Sequence, residues 1–257
     1  MKITALTENT SKTGLPYEHG LSLYIQTESH NILFDTGQTE LFAQNAKTLG
    51  IDLSKVDIAV LSHGHYDHGG GLKKFLELNK TAPVYMSKYA FEPHYNGTEK
   101  YIGLDLSLKD SDKIVLTDGV TKLADGLTLY SCNEKEKLCD LGSFGLNTKE
   151  NGAIVPDEFR HEHYLLIEEN GKRVLISGCS HKGIVNIESW FKPDVLIGGF
   201  HLSKLELGDR LKMIAQRLET YGTTYYTCHC TGAEQYGFMK CYMDRLNYIS
   251  AGDCITV

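Results

Sequence analysis

Val56 to Leu78 reads VDIAVLSHGHYDHGGGLKKFLEL and places His63, His65, Asp67 and His68 within six residues. Ahead of them, Val56 to Leu61 is an apolar run with the length and β-branched content of a buried parallel strand. Gly69, Gly70 and Gly71 follow and let the backbone turn sharply. LKKFLEL then carries Leu72, Phe75 and Leu76 at helical spacing, with both lysines on the other face. The expected order is strand, ligand-rich turn, helix, and the carboxyl ends of strands are where open α/β sheets bind ligands.

The spacing has a chemical reading. His63 and His65 stand two apart, so in extended backbone both imidazoles face one side and can reach one cation. Asp67 and His68 are adjacent on a turning backbone, which suits a second cation beside the first. A solvated polar loop is the ordinary explanation for one or two histidines. Four borderline ligands at the end of a buried strand point instead to metal. No paired Cys-x-x-Cys element accompanies them, which argues against a structural zinc finger.

The chain has 257 residues, 41% hydrophobic and 23% charged, enough to bury a sizeable core. Its formal charge of -7 and pI near 5.9 argue against a nucleic-acid partner held on a broad basic face. A phosphorylated small molecule stays compatible, since a few local cations can bind it. Seven cysteines, an odd number without small-domain spacing, suggest free thiols in a reducing compartment. The start, MKITALTENT, lacks an apolar targeting core and no run is long enough for a bilayer, so a cytoplasmic protein with no membrane partner is expected.

In order along the chain, Lys2 to Leu6 reads as a strand, and Leu21 to Thr27 with Asn31 to Phe34 as a hairpin. Asp35 lies at that hairpin's end, where an ordinary turn aspartate is the competing reading. Thr39 is placed to cap a helix running to Leu49. Pro83 to Met86 is another strand, and residues 88–163 form a loop-rich insertion with short strands at Lys113 to Leu116 and Leu127 to Tyr130. Its tyrosines and Phe144 can stack on a ring.

Regular pattern resumes with a hairpin, YLLIEE then RVLIS, ending in Ser177 to Gly183, where Cys179 and His181 can face the same way. Helices are expected over Ile184 to Phe191, Glu206 to Tyr221 and Ala233 to Leu246, and strands over PDVLIGG, Thr223 to Thr227 and near Ile255. Histidines thus follow expected strands at 63–68, 181, 201 and 229. For each of the last three a hydrogen-bonded core histidine is the alternative, but together they converge.

SHGHYDHGGG resembles the H-x-H-x-D-H signature of the metallo-β-lactamase fold hydrolases, and the likeness extends along the whole chain. Asp35 in ILFDTG matches that family's first motif and His229 in HCTG its last. EHGLSLYI (Glu18 to Ile25), SGCSHKGIVNI (Ser177 to Ile187), GGFHL (Gly198 to Leu202) and CHCTG resemble the branch labelled dihydropterin or dihydropteroate synthase-like.

The resemblance implies an α/β protein of one domain, residues 1–257, folded as an αββα sandwich of two mixed β-sheets flanked by helices. It implies two divalent metal ions, with His63 and His65 on the first, Asp67, His68 and His229 on the second, and Asp35 steadying the ligand loop. Two departures stand out. Where most of the superfamily carries a further histidine this chain reads PDEF (Pro156 to Phe159), so His181 becomes the expected third ligand of the first metal, with Asp157, Glu158, His161 or His163 as alternatives. Cys179 replaces a bridging aspartate, and a thiolate there favours Zn2+ over Mn2+ or Mg2+, with Fe2+ a further option.

The expected activity is hydrolysis of a phosphoester-type small molecule, a phosphodiester or cyclic phosphate, with Asp67 orienting the nucleophile. His201 and Lys182 are expected to bind substrate, and His201 to protonate the leaving group. One alternative is a synthase joining a pterin diphosphate to an aryl amine. Another is a non-catalytic protein that binds a ligand through metal, and a homo-oligomer is compatible with all three.

Overall fold

The apolar run ahead of the histidines forms the buried strand Ile58–Val60, flanked in parallel by Asn31–Phe34 and Val84–Ser87. In the computed structural model, which describes residues 1–257, these belong to a seven-stranded mixed sheet. Its order is Cys254–Thr256, Lys2–Thr7, Ser22–Gln26, Asn31–Phe34, Ile58–Val60, Val84–Ser87 and Ile114–Thr117. A second sheet of seven runs Leu246–Tyr248, Thr224–Thr227, Val195–Gly198, Lys172–Ser177, Tyr164–Glu169, Leu127–Tyr130 and Val120–Ala124.

Both sheets are apolar on both faces, and this dictates the layering. Leu23, Ile25, Ile32, Phe34, Ile58 and Val60 of the first sheet meet Leu127, Leu129, Leu165, Ile167, Ile176 and Ile197 of the second. The alternate residues point outward. Leu33, Ala59 and Leu61 pack with Phe42 and Phe75 of helices Leu41–Thr48 and Leu72–Leu78. Leu175, Leu196 and Tyr225 pack beneath Ile184–Phe191, Asp209–Glu219 and Ala233–Lys240. The αββα sandwich is therefore present, and no helix is long and apolar enough to cross a membrane.

Some expectations need correction. The insertion is richer in strands than its sequence suggests. Val120–Ala124 pairs with Leu127–Tyr130, while His94–Asn96, Lys100–Tyr101, Leu146–Glu150 and Ala153–Pro156 make a third, four-stranded sheet. The last helix stops at Lys240, and Leu246–Tyr248 instead pairs in parallel with Thr224–Thr227. Thr39 lies just outside its helix, which begins at Leu41, yet its hydroxyl still accepts the Leu41 N–H at 3.1 Å.

One edge concentrates the carboxyl ends of the parallel strands. Asn31–Phe34 and Ile58–Val60 deliver Asp35 and His63 to His68 from the first sheet. Lys172–Ser177, Val195–Gly198 and Thr224–Thr227 deliver Cys179, His201 and His229 from the second.

Candidate metal centre

Asp35 is no ordinary turn aspartate. Fully buried with φ +60°, it accepts the Ser62 N–H and the Ser62 hydroxyl, each at 2.7 Å, and the Nδ1–H of His68 at 2.7 Å. These bonds fix tautomers. Because the Ser62 hydroxyl gives its proton to Asp35, its oxygen accepts from His63 Nδ1 at 2.8 Å. Asn9 Oδ1 likewise accepts from His229 Nδ1 at 2.8 Å. His63, His68 and His229 are thereby left with lone pairs on Nε2.

Those lone pairs converge. His68 Nε2 stands 3.2 Å from His229 Nε2 and 3.2 Å from Cys179 Sγ, while Asp67 Oδ2 is 3.4 Å from His229 Nε2. His63 Nε2 faces His181 Nε2 at 3.3 Å. Two facing lone pairs repel unless a proton or cation lies between them. Two nitrogens on one tetrahedral zinc, each ~2.0–2.1 Å from it, stand about 3.3–3.4 Å apart, so the donor spacing fits a metal.

Four donor groups overlap here: His63, Cys179 and His181; His68, Cys179 and His229; Cys179, His201 and Cys230; His19, Asp67 and His229. Cys179 is common to the first three. The His65 ring lies 4.6 Å from that of His63 and 5.0 Å from that of His181, and its buried Nε2 has no partner. His19, half-exposed, meets Asp67 Oδ2 at 3.1 Å.

Electrostatics favour neutral, ligand-ready imidazoles on one side of the centre. Burial, reinforced by repulsion from neighbouring imidazoles, holds His63, His65 and His181 well below the usual histidine pKa. Burial also opposes charge on His68, but the carboxylates of Asp35 and Asp67 outweigh it and hold its pKa above the usual value. For Asp67 burial is likewise overturned, by His68, His19 and His229, and its carboxyl stays well below the usual range.

The PDEF departure places Asp157 among three buried histidines, His65, His94 and His161. Asp157 Oδ2 accepts from His94 Nδ1 at 2.9 Å and His161 Nε2 at 3.2 Å, and Oδ1 accepts the Phe159 N–H at 2.6 Å. Gly64 N–H donates to His161 Nδ1 at 2.9 Å, which puts that ring's proton on Nε2. His161 is therefore a donor to Asp157, and one ligand atom from each of His65, His94, Asp157 and His161 lies within 4.8 Å of the others. Phe159, at φ +59°, stacks on His181 with centroids 4.4 Å apart and planes 10° apart. The segment thus positions His181 and brings Asp157 and His161 to His65. Glu158 is exposed, and His163 joins no donor group.

His201 lines a cavity of about 500 Å³ above the histidines, its ring 4.2 Å from that of His181. Lys182 does not share that cavity. Its buried ammonium donates to the Ser131 carbonyl at 2.6 Å and the Glu162 carbonyl at 3.2 Å, and it faces a neighbouring cavity of about 910 Å³. Lys100 and Lys204 line the cavity above the histidines. Glu162, also unforeseen, accepts the N–H groups of His181 at 2.7 Å and Lys182 at 3.1 Å and so holds their turn. No spacing in the sequence ties His94, Asn9 and Glu162 to the centre, and only the fold brings them here.

Residues 16–221 match the family model of the metallo-beta-lactamase superfamily. The chain is similar to the 7,8-dihydropterin-6-methyl-4-(beta-D-ribofuranosyl)-aminobenzene-5'-phosphate synthase of Methanocaldococcus jannaschii, at 31% identity over 283 residues, covering 99% of this chain and 96% of that protein. Among solved structures it is similar to Tm1679, a metal-dependent hydrolase of the beta-lactamase superfamily, with a TM-score of 0.84 and 30% identity over 100% of this chain and 99% of that one. Zn(2+)-bound PqqB from Methylobacterium extorquens shares the fold alone, with a TM-score of 0.59 and 10% identity over 100% of both chains.

Proposed function

Because the chain belongs to the metallo-β-lactamase superfamily, we propose that it is a metal-dependent hydrolase of a phosphoester-type small molecule, a phosphodiester or cyclic phosphate. The observation that carries this is the facing pair of His68 and His229 Nε2 lone pairs at 3.2 Å, beside the Cys179 sulfur and Asp67. His63, His65 and His181 would hold one divalent cation and Asp67, His68 and His229 a second. Cys179 lies between the two groups, where its thiolate favours Zn2+ over Mn2+.

Such cations, when bound, lower the pKa of coordinated water toward about 7 and polarise a phosphoryl oxygen. The protein's own groups do the rest. Asp67, steadied by His19, orients the attacking water, and His201 protonates the leaving oxygen. Lys100 and Lys204 line the cavity and attract an anionic substrate.

A second reading, a synthase joining a pterin diphosphate to an aryl amine with loss of pyrophosphate, has one observation in its favour. His181 lines both the 500 Å³ and the 910 Å³ cavities, so two substrates could approach the centre from two sides.

The test is turnover of an aryl phosphodiester by protein loaded separately with zinc or manganese. Zinc-dependent turnover that falls by about 100-fold or more in His65→Ala supports the hydrolase. Metal-loaded protein that is inert to the diester but releases pyrophosphate from a pterin diphosphate and an aryl amine identifies the synthase. Inertness in both assays leaves a metal-dependent binding protein.

A further inference from the structure

We propose that Cys179, Cys230 and His201 form a further cation position, rich in sulfur, at the margin of the histidine centre, suited to a thiophilic divalent cation of the zinc class. One donor atom from each lies within 4.8 Å of the others, and all three residues line the cavity above the histidines. They arrive from three adjacent parallel strands, Lys172–Ser177, Val195–Gly198 and Thr224–Thr227.

The local backbone is shaped around this meeting. His201 at φ +52° and His229 at φ +48° occupy the left-handed region that side chains rarely adopt. A Cβ at residue 199 would collide with Cys230 Sγ, so Gly199 leaves that sulfur its place. His201 Nδ1 is buried without a partner, an open valence that a cation would satisfy. The His201 N–H donates to Cys230 Sγ at 3.3 Å, a bond that favours the thiolate. The Cys230 thiol proton points at the Cys179 carbonyl at 3.4 Å and would be released on metal binding.

The ordinary explanation is that buried cysteines behave as small apolar residues. Cys228 fits that description, packing in the core between the sheets and joining no donor group. Cys230, two residues on, does not. Two thiolates and an imidazole select zinc or cadmium over magnesium or manganese, and three protein ligands leave one open position. Since Cys179 also belongs to the histidine groups, a cation here would sit one sulfur away from theirs. A cation on His201 Nδ1 leaves the ring proton on Nε2, the proton that the phosphoester reading gives to the leaving oxygen, and metal content is measured without substrate.

The experiment counts zinc by mass spectrometry on the full chain after saturation and gel filtration, and records sulfur-to-cobalt charge-transfer absorption after cobalt(II) loading. Wild type should hold one zinc more than Cys230→Ser, whose charge-transfer band should weaken. Cys228→Ser should match wild type in both. Equal zinc content and equal band intensity in wild type and Cys230→Ser would overturn the proposal. If circular dichroism shows Cys230→Ser unfolded, half-buried His201→Ala takes its place, with the same loss of one zinc expected and an unchanged count decisive against.

Discussion

At the scale of single residues, one carboxylate sets the chemistry of two histidines. Asp35 takes the protons of Ser62 Oγ and His68 Nδ1, and through Ser62 it also orients His63. Asp35→Asn would turn an acceptor into a partial donor in that chain, and zinc affinity is expected to fall about 10–100-fold in chelator competition. His163 makes the opposite kind of statement. Burial, with Lys182 close by, pushes its pKa down to about 3, below an unfolded value near 6.5. A depressed folded pKa means that stability is intact above pH ~6.5 and is lost as pH falls toward about 3, because the unfolded chain binds the proton first. His163→Gln should therefore flatten the acid side of the melting-temperature profile of metal-free protein between pH ~6.5 and ~4, with little change near pH 8. A variant as acid-sensitive as wild type would show that His163 is not responsible.

At the scale of elements, what could be read from the sequence depended on burial. Ile58–Val60, Lys172–Ser177 and Val195–Gly198 are apolar on both faces and end at glycine-punctuated turns, so their strand character and their ligand-bearing ends are both visible. The helix at Ile184–Phe191 is also where its periodicity places it. The third sheet is hidden because His94–Asn96 and Lys100–Tyr101 are too short and polar to express a period. With it goes His94, whose bond to Asp157 depends on that sheet. The donor cluster at 63–68 is legible from density alone, whereas the tautomer-setting roles of Asn9 and Glu162's grip on the His181 turn depend on tertiary approach. Strand ends also carry backbone constraints. Gly198 has φ +144° and a Cβ there would collide with the Ser177 carbonyl, so Gly198→Ala should cost about 2 kcal/mol or more in denaturant unfolding. Wild-type stability in that variant would mean that the strand crossing can relax.

At the scale of the molecule, the donors are divided between layers. His63, His65, Asp67 and His68 follow a strand of the first sheet, while Cys179, His181, His201, His229 and Cys230 follow strands of the second. Any cation shared by these groups binds the folded arrangement and not the unfolded chain. Zinc at 100 times its dissociation constant should stabilise by about 2.7 kcal/mol, seen as a melting temperature that rises with free zinc and falls with chelator. A melting temperature indifferent to both would count against metal binding at this edge. The layers are also nearly consecutive in the chain: apart from Cys254–Thr256, every strand of the first sheet precedes residue 118 and every strand of the second follows it. A break at Asp118–Gly119 would thus yield two fragments, each with half a coordination sphere. The colour of bound cobalt would report their reassembly, and the last strand of the later fragment would be the arm that grips the earlier one.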